Sequence, residues 1–230
     1  MIKENILKIK ERISLVCSKI NRNPDSITIV AVSKGRTEEQ IKEVIKEGIT
    51  DIGENRVQEA LIKYNEQPRT DNEQRTRWHM VGHLQTNKVK EAVRIFHLIQ
   101  SVDSLHLAFE IDKQAAKINK IQDILVQVNT SGKNTKFGLK PNEIIEVIKE
   151  AAKFNNITIS GLMTIAPIVD NIQKTRPYFR MLRDLKDEIN ELRTTNCKLQ
   201  TLSMGMTDDF EVAVEEGSNM LRLGRAIFEG

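Results

Sequence analysis

Short apolar, β-branched runs alternate with amphipathic helical stretches along nearly the whole chain, and this alternation narrows the fold more than any other feature of the sequence. Ile27 to Ser33 (ITIVAVS) reads as a buried strand of parallel type that stops at a lysine. TEEQIKEVIKEG then opens on an N-cap threonine, Thr37, keeps helical spacing and closes on Gly48. The pattern repeats as ITDIGE, a helix near Val57 to Asn65, a polar loop rich in Arg, Thr, Asn and Gln, and RWHMVGH. Next come a helix near Thr86 to Arg94, IFHLIQSVD, a helix from Ser104 to Asn119, and DILVQVNT. PNEIIEVIKEAAKF places Pro141 in a first helical turn and is followed by ITISGLMTI. A long helix over roughly Asn171 to Arg193, the strand LQTLSMG, a short helix beginning near Thr207 to Asp209, and MLRLGRAIF as a last strand complete the series. Eight such units in about 210 residues predict an α/β chain of 230 residues folded as a single closed parallel (β/α)8 TIM barrel. The alternative, an open doubly wound sheet, is disfavoured because SKGRT follows the first strand where a GxGxxG would be needed.

In front of the barrel stands an extra helix, MIKENILKIKERISLVCSKI, whose Ile2, Ile6, Ile9, Ile13, Val16 and Ile20 recur at steps of three and four. Lysines and two glutamates interrupt it, so it is not a signal peptide, and no stretch reaches the ~20 apolar residues of a membrane span. Cys17 and Cys197 lie far apart without metal or disulfide spacing, which predicts no metal site and a reducing, cytoplasmic location. The 35 basic and 32 acidic residues are interspersed, and aromatic content is 4%, so neither a basic footprint nor a base-stacking platform marks a nucleic-acid partner.

A barrel of this kind works at the C-terminal ends of its strands, often with a phosphate near the seventh and eighth. Those ends carry Lys34, Glu54 with Asn55, His83, Asp103, Asn129, Met163 with Thr164, Ser203 to Met206, and Arg222 to Arg225. Lys34, at the mouth behind an apolar strand, is a candidate to form an imine with a carbonyl; the alternative is a rim lysine paired with Glu54. LSMGMTDDF and MLRLGRAIF together suggest a phosphate cradle, with the Ser203 hydroxyl, a glycine turn into a helix, and close backbone approach at Gly224. Thr207 and Asp208 also read as simple helix caps. Lys136 is either a second amine near the mouth or a solvated loop charge. His79 reads as a packed core histidine, and Asp103 as the cap of the helix at Ser104.

AVSKGR around Lys34, DIGENRVQEA, WHMVGHLQTNKVK, VNTSGKNTKFG around Lys136, GLMTI and LSMGMTDDFEVAVEEGSNMLRLGRAIF together resemble the pyridoxal phosphate homeostasis protein family nearly end to end. That resemblance implies the barrel half of fold-type III enzymes such as alanine racemase, without their second β domain, carrying pyridoxal 5'-phosphate (PLP) as an imine on Lys34. It further implies that Ser203, Gly224 and the Arg225 backbone hold the phosphate, that Arg222 faces the pyridine nitrogen, and that Asn55 and His83 line the pocket. Arg225 is a departure, since small residues are common there. A guanidinium beside the ring nitrogen disfavours its protonation and weakens the ring as an electron sink.

A racemase of this cofactor type needs two opposed bases, one usually a tyrosine. The two tyrosines, Tyr64 and Tyr178, fall within helices away from the strand ends. The expected role is therefore intracellular PLP sequestration and delivery to apoenzymes, by a monomer and without turnover. An amino-acid racemase-like enzyme and a Schiff-base aldolase acting on a sugar phosphate through Lys34 are the alternatives.

Overall fold

The computed structural model describes residues 1–66, 76–133, 135–192 and 198–229. Within them eight parallel strands pair in chain order, and the last returns to the first to close a barrel. The strands are β1 (Thr28–Val32), β2 (Asp51–Glu54), β3 (Arg77–Met80), β4 (Leu98–Val102), β5 (Gln122–Gln127), β6 (Ile157–Met163), β7 (Thr201–Ser203) and β8 (Met220–Leu223). The helices are α1 (Ile2–Lys19), α2 (Glu38–Lys46), α3 (Val57–Glu66), α4 (Val89–Ile95), α5 (Leu105–Ala116), α6 (Ile144–Ala151), α7 (Arg176–Glu191), α8 (Phe210–Glu215) and α9 (Arg225–Phe228). This is the (β/α)8 architecture that the alternation predicts. The polar loop before β3, Arg193 and Cys197 lie outside the described residues.

Two apolar layers follow from strand alternation, in which successive side chains face opposite sides. Val30, Val81, Leu98, Leu125, Met163 and Met220 form a small cluster inside the barrel. Ala31, Ile52, Trp78, Ile99, Ile124, Leu162, Leu202 and Leu221 face outward and join the larger core under the helices. α1 buries Ile2, Ile6, Ile9, Ile13 and Val16 and packs on α2, α8 and α9. Thr37 caps α2, as the sequence predicts, and with Gln40 it forms a reciprocal capping box. Among the described residues no helix is long and apolar enough to cross a membrane.

Three boundaries differ from the sequence reading. IFHLIQSVD is not strand throughout: α4 runs to Ile95, and Lys120 Nζ, arriving from beyond α5, donates to the Val93 and Phe96 carbonyls at 2.8 and 2.7 Å and finishes that helix. MLRLGRAIF is strand only to Leu223; Gly224 caps a helical turn over Arg225–Phe228. A strand would send Ile227 and Phe228 to opposite faces, whereas the turn buries both. The long helix before β7 starts as a 3-10 turn, Ile172–Thr175, capped by Asn171.

Between β5 and β6 the register shifts so that Ser160 is bulged and Gly161 pairs with Leu125. A Cβ on Gly161 would lie 2.0 Å from the Thr201 carbonyl oxygen of β7. Gly161→Ala is therefore expected to cost at least the 1–3 kcal/mol typical of overpacking, because rigid backbone must move. Urea unfolding checks this through a lowered midpoint.

Candidate functional site

The inward rows of the strands, followed upward past the apolar cluster, run directly into the residues singled out at the strand ends. Lys34 lies two residues beyond Val32, Asn55 two beyond Gly53, and His83 two beyond Val81. Ser203 closes β7, while Arg222 and Gly224 follow Met220 at steps of two. Alternation places Ser203 and Arg222, which lie within strands, on the barrel interior side, and Lys34, Asn55, His83 and Gly224 follow just beyond their strands at the same end. Among the described residues, no hydrogen bond or ion pair joins Lys34 to Glu54. Glu54 faces outward, under α3, and Lys63 Nζ reaches its Oε1 at 2.5 Å and the Ser33 carbonyl at 2.6 Å.

Arg222 is the buried cation of the site. Its Nη1 donates to Ser203 Oγ at 2.6 Å and its Nη2 to the Thr164 carbonyl at 2.7 Å. Burial lowers its pKa to about 10, against the opposing pull of Asp209, so the group stays charged at neutral pH. Ser203 is fully buried, and its hydroxyl donates in turn to Gln100 Oε1 at 2.6 Å. The hydroxyl expected to meet a phosphate is thus engaged on both sides. Thr207 is bonded to the turn that follows Gly224, accepting from the Ala226 amide at 3.3 Å.

The β7–α8 and β8–α9 loops are clasped at three points. The Arg222 amide donates to the Gly205 carbonyl (3.1 Å), Ala226 N to Thr207 Oγ1, and Arg225 Nη2 to Asp208 Oδ2 (2.7 Å). Neither Thr207 nor Asp208 caps α8, which begins only at Phe210; the Asp209 carboxylate instead accepts from the Met206 amide at 2.7 Å. Gly205 is confined to glycine, with φ at +94° and an added Cβ only 2.6 Å from that of Ala213. The glycine turns, the clasped loops and the Arg222 cation suit an anionic group such as a phosphate. The cation lies within the barrel, and the backbone of Gly224 and Arg225 lies at the rim.

Across the mouth, His83 Nδ1 pairs with Asp103 Oδ2 at 3.1 Å, and Phe137 stacks on the imidazole with ring centroids 4.0 Å apart. Asp103 therefore does not cap α5; Ser104 does, accepting from the Leu107 amide. The loop carrying Lys136 is shaped by Asn129, whose Nδ2 donates to the Lys133 and Lys136 carbonyls. His79 is buried in the barrel, as expected for a core histidine. Sequence reasoning missed Gln100, Lys63 and Phe137. Gln100 could have been found, since it is a polar residue in the inward row of an apolar strand, two after Leu98.

The comparisons with known proteins place the chain in a family. The alanine racemase N-terminal domain family matches residues 5–230, which defines the class: a barrel of the racemase type. A pyridoxal phosphate homeostasis protein of Aquifex aeolicus is 42% identical over 225 residues, 98% of this chain and 96% of that one. The Escherichia coli K12 protein of the same name is 32% identical over 231 residues, 99% and 95% of the two chains. The chain belongs to the pyridoxal phosphate homeostasis protein family. Among solved structures, PipY of Synechococcus elongatus PCC7942, with PLP bound, superposes at a TM-score of 0.83 with 31% identity, covering 99% of this chain and 100% of that one. An alanine racemase of Clostridium difficile 630 shares the fold at a TM-score of 0.72 and 17% identity, over 95% of this chain and 57% of that one.

Proposed function

We infer that this chain binds pyridoxal 5'-phosphate through the Lys34 amine and serves intracellular PLP homeostasis, sequestering the cofactor and delivering it to apoenzymes without turnover. The observation that carries this reading is the convergence of Lys34, Asn55, His83, Arg222 and Gly224 on one barrel mouth, in a family with a member, PipY, solved with PLP bound. Bound PLP supplies an aldehyde and an electron-withdrawing ring. Lys34 would hold the aldehyde carbon, and Arg222 would face the ring nitrogen as a charged donor that opposes protonation there. The backbone amides of Gly224 and Arg225 would take the phosphate. Ser203 would join them only by giving up Gln100, and the Thr207 hydroxyl is bonded to that turn. Asn55 and His83 would line the ring, with His83 oriented by Asp103 and covered by Phe137. Lys136, on the same loop as Phe137, is a secondary amine for cofactor in transit.

Support for a carrier over a racemase comes from the tyrosines, since Tyr64 lies in α3 and Tyr178 in α7 rather than at the strand ends. With no second subunit needed to complete the mouth, a cytoplasmic monomer is the expected state. The test is the visible absorption spectrum of the purified protein, followed by borohydride reduction and peptide mass mapping. A yellow protein reduced at Lys34, with no exchange of amino-acid α-protons, is the expected result. A racemase would show that exchange. A protein that stays colourless with added PLP, and is trapped by borohydride only in the presence of a sugar phosphate, would instead be the aldolase.

A further inference from the structure

Below the mouth, a single file of hydrogen bonds crosses the barrel interior, where packed apolar layers are usual. Arg222 Nη1 donates to Ser203 Oγ (2.6 Å), and Ser203 Oγ to Gln100 Oε1 (2.6 Å). Gln100 Nε2 meets His79 Nδ1 (3.0 Å) and also donates sideways to Met220 Sδ (3.2 Å), His79 Nε2 meets Asp51 Oδ1 (2.8 Å), and Arg77 Nη2 closes on Asp51 Oδ2 (2.7 Å). Arg222, Ser203, Gln100, His79 and Asp51 are all buried, and they come from five strands. Only Arg77, at the opposite end of the barrel, is largely exposed.

The two ends of the file set its direction. The Arg222 guanidinium only donates and the Asp51 carboxylate only accepts, and between them the Ser203 hydroxyl accepts from Arg222 and donates its proton to the Gln100 carbonyl. That fixes the amide, makes Nε2 the donor to His79 Nδ1, and leaves the imidazole proton on Nε2, facing a carboxylate. Burial pushes the Asp51 carboxyl up, but its bonds from His79 and Arg77 outweigh this and hold it below the usual range, so the file ends on an anion. A fully satisfied buried file of this kind has one low-energy arrangement, because reversing any member strands a donor or an acceptor.

We propose that His79 and Gln100 are positioning residues for the cofactor: acting through Ser203, they hold the Arg222 guanidinium in one orientation and keep the Ser203 proton turned away from the mouth. The site then offers the ring nitrogen a charged donor and no neutral hydroxyl, and the nitrogen stays unprotonated. This inference rests on the PLP reading above.

The test uses the full chain loaded with PLP labelled with nitrogen-15 in the ring, whose resonance reports protonation of that nitrogen directly. His79→Leu and Gln100→Leu are expected to move the resonance toward the protonated position. His79→Gln, which can accept from Gln100 and donate to Asp51, is expected to keep the wild-type resonance. Leucine variants that load with PLP yet keep the wild-type resonance overturn the proposal, and so does His79→Gln shifting as far as His79→Leu. If the leucine variants do not fold, Ser203→Ala cuts the file one link from Arg222 with a smaller change. It should give the same shift, and an unchanged resonance overturns the proposal in that case too. Borohydride mapping of the wild-type protein comes first, and a product away from Lys34 rejects the PLP reading itself and this inference with it.

Discussion

Replacing Lys34 by alanine is expected to abolish retention of PLP through gel filtration and to remove the visible band, while leaving the apo fold nearly as stable as the parent. The side chain is exposed and follows the end of β1, outside both apolar clusters. Its removal falls in the class of surface changes worth within about 0.5 kcal/mol. The phosphate clasp and Arg222 survive the substitution, so PLP should still bind reversibly, and equilibrium titration should show a large loss of affinity rather than none. The same variant tests Lys136. Borohydride reduction of PLP-soaked Lys34→Ala should then label Lys136 if that amine receives cofactor in transit, and label no single lysine if it is a solvated charge. A Lys34→Ala protein that keeps its band through gel filtration, reduced at another lysine, would move the cofactor seat elsewhere.

The barrel was legible because its signal is redundant: eight apolar runs, each followed by a helical period, agree on one closed sheet even when single boundaries slip. The boundaries that slipped share a cause. Ile95 and Phe96 are apolar residues next to a strand, and nothing local announces that Lys120 will cap the helix they end. RAIF after Gly224 reads as continued strand until the third dimension supplies the outer core that Ile227 and Phe228 fill together.

The candidate site was legible as a set of strand ends and less legible as a set of contacts. Lys34, Asn55, His83, Arg222 and Gly224 all fall at or just beyond strand ends on one end of the barrel, and motif resemblance implies their roles. Partnerships were a different matter, because a side chain's partner depends on distances between strands far apart in the chain. The sequence offers Glu54 as a partner for Lys34, but its own strand faces it toward α3 and Lys63. It offers Asp103 as a cap, but His83, from the neighbouring strand, stands against it. Nor does it show that Gln100, 103 residues before Ser203 in the chain, accepts the Ser203 proton.

The Lys63 ion pair predicts the largest stability effect outside the apolar core. Glu54 has no exposed surface, its Oε1 takes hydrogen bonds from Lys63 Nζ (2.5 Å) and Ser33 Oγ (2.6 Å), and its Oε2 has no partner among the described residues. Lys63→Met keeps the length and apolar stem of the side chain but leaves that carboxylate buried against a single hydroxyl, which is expected to cost about 3–5 kcal/mol in urea unfolding. Adding Glu54→Leu removes the stranded charge and should recover most of the loss, so the two single changes and the double form a cycle with a large coupling energy. Recovered stability should come without recovered function. Lys63 also holds the Ser33 carbonyl at 2.6 Å, one residue before Lys34, and Glu54 immediately precedes Asn55. The double variant should therefore fold like the parent yet retain PLP less tightly, as freed β1 and β2 ends let Lys34 and Asn55 drift. A Lys63→Met protein within about 0.5 kcal/mol of the parent would show the pair to be stabilised by water rather than by itself, and a double variant with parental PLP affinity would confine its role to the fold.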